Sequence, residues 1–153
     1  MNSNQLLKPI IFKSENIISK NDLKITLDNT RNIVSLNQNQ EESKKFKTLF
    51  KKYFLFEPPK ISELHINKKY MVFWVRTNSF FIIGDVNLKD LESVFSTTAS
   101  MTDQMGGWIL IQIEGKDSKS IFEKLITLNL EEFTEGKVIR TLINKINCFV
   151  LCE

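Results

Sequence analysis

The residues of this chain that could do chemistry are few and scattered. His65 is the only histidine, and it stands in a polar stretch with no Ser, Cys or Asp constellation around it. A general base needs a partner that orients it and a group to deprotonate, so His65 is read as a surface histidine rather than a catalyst. Asp103 lies in the turn Met101-Thr102-Asp103-Gln104-Met105-Gly106-Gly107. Its carboxylate is expected to accept backbone N–H bonds from Met105 or Gly106, as Asp in turns commonly does. Cys148 and Cys152 are the only cysteines. Their spacing differs from a redox Cys-x-x-Cys pair, and on a strand they face the same side beyond disulfide reach, so they are expected to be reduced thiols. No Cys/His set has zinc-ligand spacing, and neither Gly-x-Gly-x-x-Gly nor a Walker loop occurs.

Charge is the other candidate signal. The net charge is +3, and it is concentrated: residues 41–60 carry Lys44, Lys45, Lys47, Lys51, Lys52 and Lys60 against Glu41, Glu42 and Glu57, while the remainder is balanced. Arg31, Arg76 and Arg140 are the only arginines and Ala99 the only alanine, a bias that suggests genome composition rather than phosphate recognition, where arginine is favoured. The lysine-rich segment is read first as a solvated helix face, next as a dock for an acidic partner, and last as a nucleic-acid or membrane contact. The aromatic set Phe73, Trp74, Phe80, Phe81 and Trp108 is expected to be core.

The elements that must position these residues follow from periodicity. The 153 residues suffice for one domain, and 42% hydrophobic with 25% charged residues is globular composition. No apolar run is long enough for a bilayer, and Leu6-Leu7 followed by Lys8-Pro9 is unlike a signal peptide, so a cytoplasmic protein is expected. Residues 1–22 read as an N-terminal arm with an Ile10-Ile11-Phe12 patch, and residues 23–153 as a single domain. Strands are expected at 23–27 and 32–36, then a helix over 41–54. In that helix Phe46, Leu49, Phe50, Tyr53 and Phe54 form one apolar stripe, lysines fill the opposite arc, and Pro58-Pro59 ends it. A loop to Lys69 precedes a hairpin of 70–75 and 80–83 around Arg76-Thr77-Asn78-Ser79. A short helix capped by Asn87 follows, then a strand at 99–101, a Gly106-Gly107 turn and a strand at 108–113 with Ile109, Ile111 and Ile113 on one face. Asp117 or Ser118 is expected to cap a helix carrying Ile121, Phe122, Leu125 and Ile126. Strands at 138–143 and 146–152 close the chain around Asn144-Lys145. The sum is an α+β fold, an antiparallel sheet with helices packed on one face.

Several of these pieces, in this order, resemble a known family. The acidic turn at Asp103, the strand through Ile113, Gly115 and the helix after it are similar to the strand–Gly–helix unit of the aminomethyltransferase, or T-protein, superfamily. Within it the chain looks most like the gamma subunit of heterotetrameric sarcosine oxidase. Residues 33–59 resemble that subunit's strand, amphipathic helix and proline ending. Val72-Phe73-Trp74-Val75 through Phe80-Phe81-Ile82-Ile83 resembles its hairpin. Leu128-Asn129-Leu130-Glu131-Glu132-Phe133 with Gly136 is similar to its Leu-Asp-Leu-His-Pro-x-x-Phe…Gly loop, and Thr141 falls where the family has Gln-Thr. Leu125-Ile126-Thr127 departs from the family's Gly-Cys-Pro, and the family's further strand and helix have no counterpart after the last hairpin, which is expected to leave a strand edge open for association.

The resemblance implies a T-protein-like (ferredoxin-like half) domain acting as a non-catalytic structural subunit of a sarcosine-oxidase-type complex. Such a complex oxidatively demethylates sarcosine, or a related N-methyl amine, to glycine, hydrogen peroxide and a folate-bound one-carbon unit. It implies alpha, beta and delta partner subunits that hold FAD, FMN, NAD, tetrahydrofolate and zinc, with no catalytic, cofactor-binding or metal-ligating residue in this chain, and neither nucleic acid nor membrane as a partner. The arm and the closing edge are the expected contacts, and truncating residues 1–20 is expected to weaken assembly. Two other readings stand beside it: a stand-alone folate-binding protein dependent on Asp103, and a basic-helix nucleic-acid-binding module with steeply salt-dependent affinity.

Overall fold

The structure is a computed structural model that describes residues 16–20, 22–127 and 129–153. Ten strands and three α-helices occur among them: β1 (Asn16–Lys20), β2 (Leu23–Asp28), β3 (Asn32–Gln38), α1 (Ser43–Phe54), β4 (Leu64–Ile66), β5 (Tyr70–Arg76), β6 (Ser79–Gly84), α2 (Leu88–Phe95), β7 (Ala99–Asp103), β8 (Leu110–Glu114), α3 (Ser118–Leu125), β9 (Lys137–Ile143) and β10 (Ile146–Cys152). A five-stranded sheet runs β4-β5-β6-β3-β7, a three-stranded sheet β1-β2-β8, and β9 and β10 form a separate hairpin. Every strand pairing is antiparallel, so the fold is α+β as expected.

Both faces of the large sheet are covered, which is why β6 reads as a run with no polar alternation (Phe80-Phe81-Ile82-Ile83). Val34, Leu36, Val72, Phe80 and Ile82 point to one side, against Phe46, Phe50 and Phe54 of α1 and Leu91 and Phe95 of α2. Ile33, Leu64, Met71, Phe73, Phe81 and Ile83 point to the other, against Val138, Phe149, Leu151, Trp108 and Leu110. The helical side is an aromatic stack, with ring centroids 4.5 Å apart for Phe50–Phe54 and 5.6 Å for Phe50–Phe80. Each fully buried phenylalanine contributes roughly 1.5–3 kcal/mol by burial.

Several boundaries differ from the sequence reading. Residues Asn16–Lys20, read as arm, pair with β2. The stretch read as a loop to Lys69 contains β4, held by β5. The turn between β5 and β6 is two residues, Thr77-Asn78, because Arg76 and Ser79 pair with each other after a bulge at Val75. The α-helix begins at Ser43, after a 3-10 turn at Gln40–Glu42. It ends three residues ahead of Pro58-Pro59: Leu55 takes a left-handed backbone (φ 67°), and its N–H bonds the Lys51 carbonyl. Asn87 caps α2 as expected, its side chain accepting from the Lys89 N–H at 2.9 Å. Asp117 precedes α3 but makes no side-chain cap, and Ile126 falls outside the helix in an extended conformation. β7 runs on to Asp103, and β8 starts at Leu110 because the Trp108 N–H belongs to the preceding turn, bonding the Gln104 carbonyl.

Candidate interaction surface

The isolated chemical groups stay isolated. His65 lies on β4, where Nδ1 is 3.1 Å from the Glu57 carbonyl, Nε2 is 3.5 Å from Glu63, and Phe56 stands edge-on to the ring. No nucleophile completes a catalytic set there. Asp103 ends β7, and its Oδ1 accepts the Met105 N–H at 2.9 Å, the turn role expected of it. Cys148 and Cys152 are free thiols on one face of β10. Burial and the Glu135 carboxylate push the Cys152 thiol up, the direction that makes it a poorer nucleophile. Among the described residues no group of three or more His, Cys, Asp or Glu could hold a metal.

Of the aromatic set, Phe73, Phe80 and Phe81 are core. Trp108 is half-buried against Phe81 and Phe149, and Trp74 is also half-buried. No described helix is long and apolar enough to cross a membrane.

The exposed apolar residues are more informative. In the small sheet, register places Leu27 opposite Ile111 and Ile25 opposite Ile113. With Leu23 and Ile109 these form one continuous aliphatic face. The other face carries the Lys24–Glu114 pair, together with Thr26 and Gln112. No residue of β2, β8 or α3 is buried. Ile109 is 71% exposed, Ile111 46% and Leu125 45%. Among the described residues, this sheet-and-helix layer keeps part of its aliphatic surface exposed.

An opening of mixed polar and apolar lining lies between the end of α3 and the closing hairpin. It is a groove of about 440 Å³ lined by Leu125, Thr127, Arg140, Leu142 and Asn147. The Arg140 guanidinium sits 5.8 Å over the Phe149 ring, so this cation is already engaged by the core's edge. Sequence reasoning did not single out Arg140; its place in the strand, opposite Phe149, was the available signal. Among the described residues, the strand that pairs with β10 is β9. Residues 1–15 of the proposed arm lie outside the described residues.

The basic face of α1 is solvated, as the first reading expected: Lys44, Lys45, Lys47, Lys51 and Lys52 are all exposed. Glu57 pairs with Lys51 at 2.8 Å, and this hydrogen bond and charge raise the lysine. A shallow hollow of about 350 Å³ lies among Lys47, Lys51, Lys52 and Glu57.

No family model and no curated protein matches the chain. A solved structure does. The fold is that of a chain of heterotetrameric sarcosine oxidase from Corynebacterium sp. U-96, solved in complex with pyrrole 2-carboxylate. The TM-score is 0.69 at 13% identity, over 88% of this chain and 72% of that one. The likeness is therefore one of fold, carried by architecture with little shared sequence. It supports a distant structural relationship to that assembly's chain.

Proposed function

We propose that this chain is a non-catalytic structural subunit of a sarcosine-oxidase-type complex, of the gamma-subunit kind. In this reading the alpha, beta and delta partners hold FAD, FMN, NAD, tetrahydrofolate and zinc. The complex, in the cytoplasm, oxidises sarcosine or a related N-methyl amine with O₂. The products are glycine, hydrogen peroxide and a one-carbon unit passed to tetrahydrofolate. The observation that carries the reading is the fold shared with a chain of a heterotetrameric sarcosine oxidase. The exposed part of the layer of β2, β8 and α3 supports it, because aliphatic surface of this kind is what a partner subunit would bury.

The test is a tagged pull-down from native lysate, with partner identification and a visible spectrum of the eluate. Co-elution of larger subunits with a flavin spectrum, and N-methyl amine oxidation by the eluate, are the expected results. A colourless, monodisperse single chain sinks the reading. Deleting residues 1–15 tests the arm; the deletion stops there because residues 16–20 are strand β1, whose loss would also open the small sheet. Unchanged assembly by the shortened chain removes the arm from the interface.

A further inference from the structure

Leu55 is unfavourable twice over in the free chain. Its φ of 67° is a backbone conformation that favours glycine or asparagine at a helix end. Its side chain is also 81% exposed, more than any other large hydrophobic residue among those described. A glycine would close α1 with the same N–H bond to Lys51 and without either penalty. The Asn67 side chain donates to the Phe54 carbonyl at 2.8 Å, which brings the Asn67–Tyr70 turn against the end of the helix. Lys68 and Lys69 follow Asn67 on that turn, and Lys51 and Lys52 lie in the helix's last turn, so four exposed lysines belong to the two segments that meet at the helix end carrying Leu55. The nearby carboxylate of Glu57 is taken up by Lys51, and among the described residues Lys52, Lys68 and Lys69 make no ion pair.

We infer that Leu55 and its lysine collar are a docking point for an acidic protein surface with an apolar pocket, supplied by a partner subunit of the assembly proposed above. Charge complementarity selects this occupant. A single leucine among lysines fits a pocket rimmed by carboxylates, whereas a second copy of this chain would bring cation against cation. The scarcity of arginine, with none in this collar, argues against a phosphate backbone. The inference rests on the subunit reading, and it places the anchor on the helical side of the large sheet, apart from the aliphatic face of the small one.

The experiment uses the full-length tagged chain and the flavin-bearing subunits that co-elute with it. Leu55→Gly is expected to raise the thermal midpoint of the isolated chain by about 2–4 °C. The same substitution is expected to weaken retention of the flavoprotein at least about tenfold. Lys68→Glu with Lys69→Glu weakens it similarly, and wild-type retention falls as salt rises. Lys89→Glu with Lys145→Glu, an equal charge change on exposed positions outside the collar, leaves it intact. Carbodiimide coupling is expected to join Lys68 or Lys69 to an Asp or Glu of the retained subunit. Wild-type retention that survives both collar variants overturns the inference and leaves the subunit reading standing. Failure of the wild-type chain to retain any flavoprotein sinks both. Leu55-dependent binding to phosphatidylglycerol vesicles or to polyuridylate, in place of the flavoprotein, also overturns it.

Discussion

Gly115 lies so close to the backbone carbonyl of Asp22 that a β-carbon has no room between them. Its φ of 115° is also a conformation that side-chain-bearing residues rarely adopt. The contact fixes the end of β8 to the turn before β2, and no residue of β2 or β8 is buried. Gly115→Ala is therefore expected to destabilise the chain by about 1–3 kcal/mol, read by urea unfolding. Gly106→Ala, where nothing lies within 4 Å of an added β-carbon, serves as the matched control and is expected to change little. Equal effects from the two would show that the approach to Asp22 relaxes at no cost.

Asp28 makes stability depend on pH in a definite direction. Burial raises its carboxyl, but the Thr30 N–H, the Thr30 hydroxyl and the Arg31 guanidinium outweigh that and hold it below the ordinary 3.8. A carboxyl lowered in the folded state contributes stability above its unfolded value, and that contribution disappears as pH falls through the folded value. The wild-type chain should thus be more stable than Asp28→Asn at neutral pH, with the gap closing below 3.8. A gap that stays constant into acid would show that Asp28 acts through packing and hydrogen bonding of its neutral form.

Tyr53 works at the other end of the scale. Its hydroxyl is 3.5 Å from that of Tyr70, and burial, the Tyr70 hydroxyl and the Asp90 carboxylate all push it above the ordinary 10.0. The unfolded chain then loses this proton before the folded one, so stability present below 10.0 is lost as pH rises beyond it. Tyr53→Phe should flatten the alkaline part of the stability profile. Both proteins carry the same other ionisable groups, so the comparison isolates the phenol. Parallel profiles would rule out Tyr53 as the source.

The sequence read well where burial imposed a period. The stripe Phe46, Phe50 and Phe54 was legible because all three rings are buried against the sheet, whereas the alternation around Ile111 followed from the two-residue period alone, its face staying exposed. β4 was not, because Leu64-His65-Ile66 is too short to show a period and is held by pairing with β5. The two-residue turn at Thr77-Asn78 was hidden by polar strand ends: Arg76 donates to the Ser79 hydroxyl, which donates to Asn37. Of the candidate site residues, Asp103 was legible because an Asp two residues before Met105 makes a local turn whatever the rest of the chain does. The exposure of Leu55 was not, because the left-handed helix end on which it sits carries no glycine or asparagine to announce it.

The aliphatic face of the small sheet gives the prediction that bears most directly on assembly. Ile109 and Ile111 are 71% and 46% exposed, so they supply little to the core of the isolated chain. Substituting both with threonine keeps the β-branch that suits a strand and removes apolar surface from the face shared with Leu27 and Ile25. The isolated double variant, Ile109→Thr with Ile111→Thr, is expected to unfold within about 1 kcal/mol of wild type, since changes at exposed positions each cost about 0.5 kcal/mol or less. If a partner subunit buries this face, the same variant loses retention of the flavin-bearing subunits, because the transfer of those side chains from water no longer favours the complex. Wild-type retention by a stably folded double variant would show that this layer stays solvated in the assembly. A large loss of stability in the isolated chain would instead mean that the face is part of the chain's own packing.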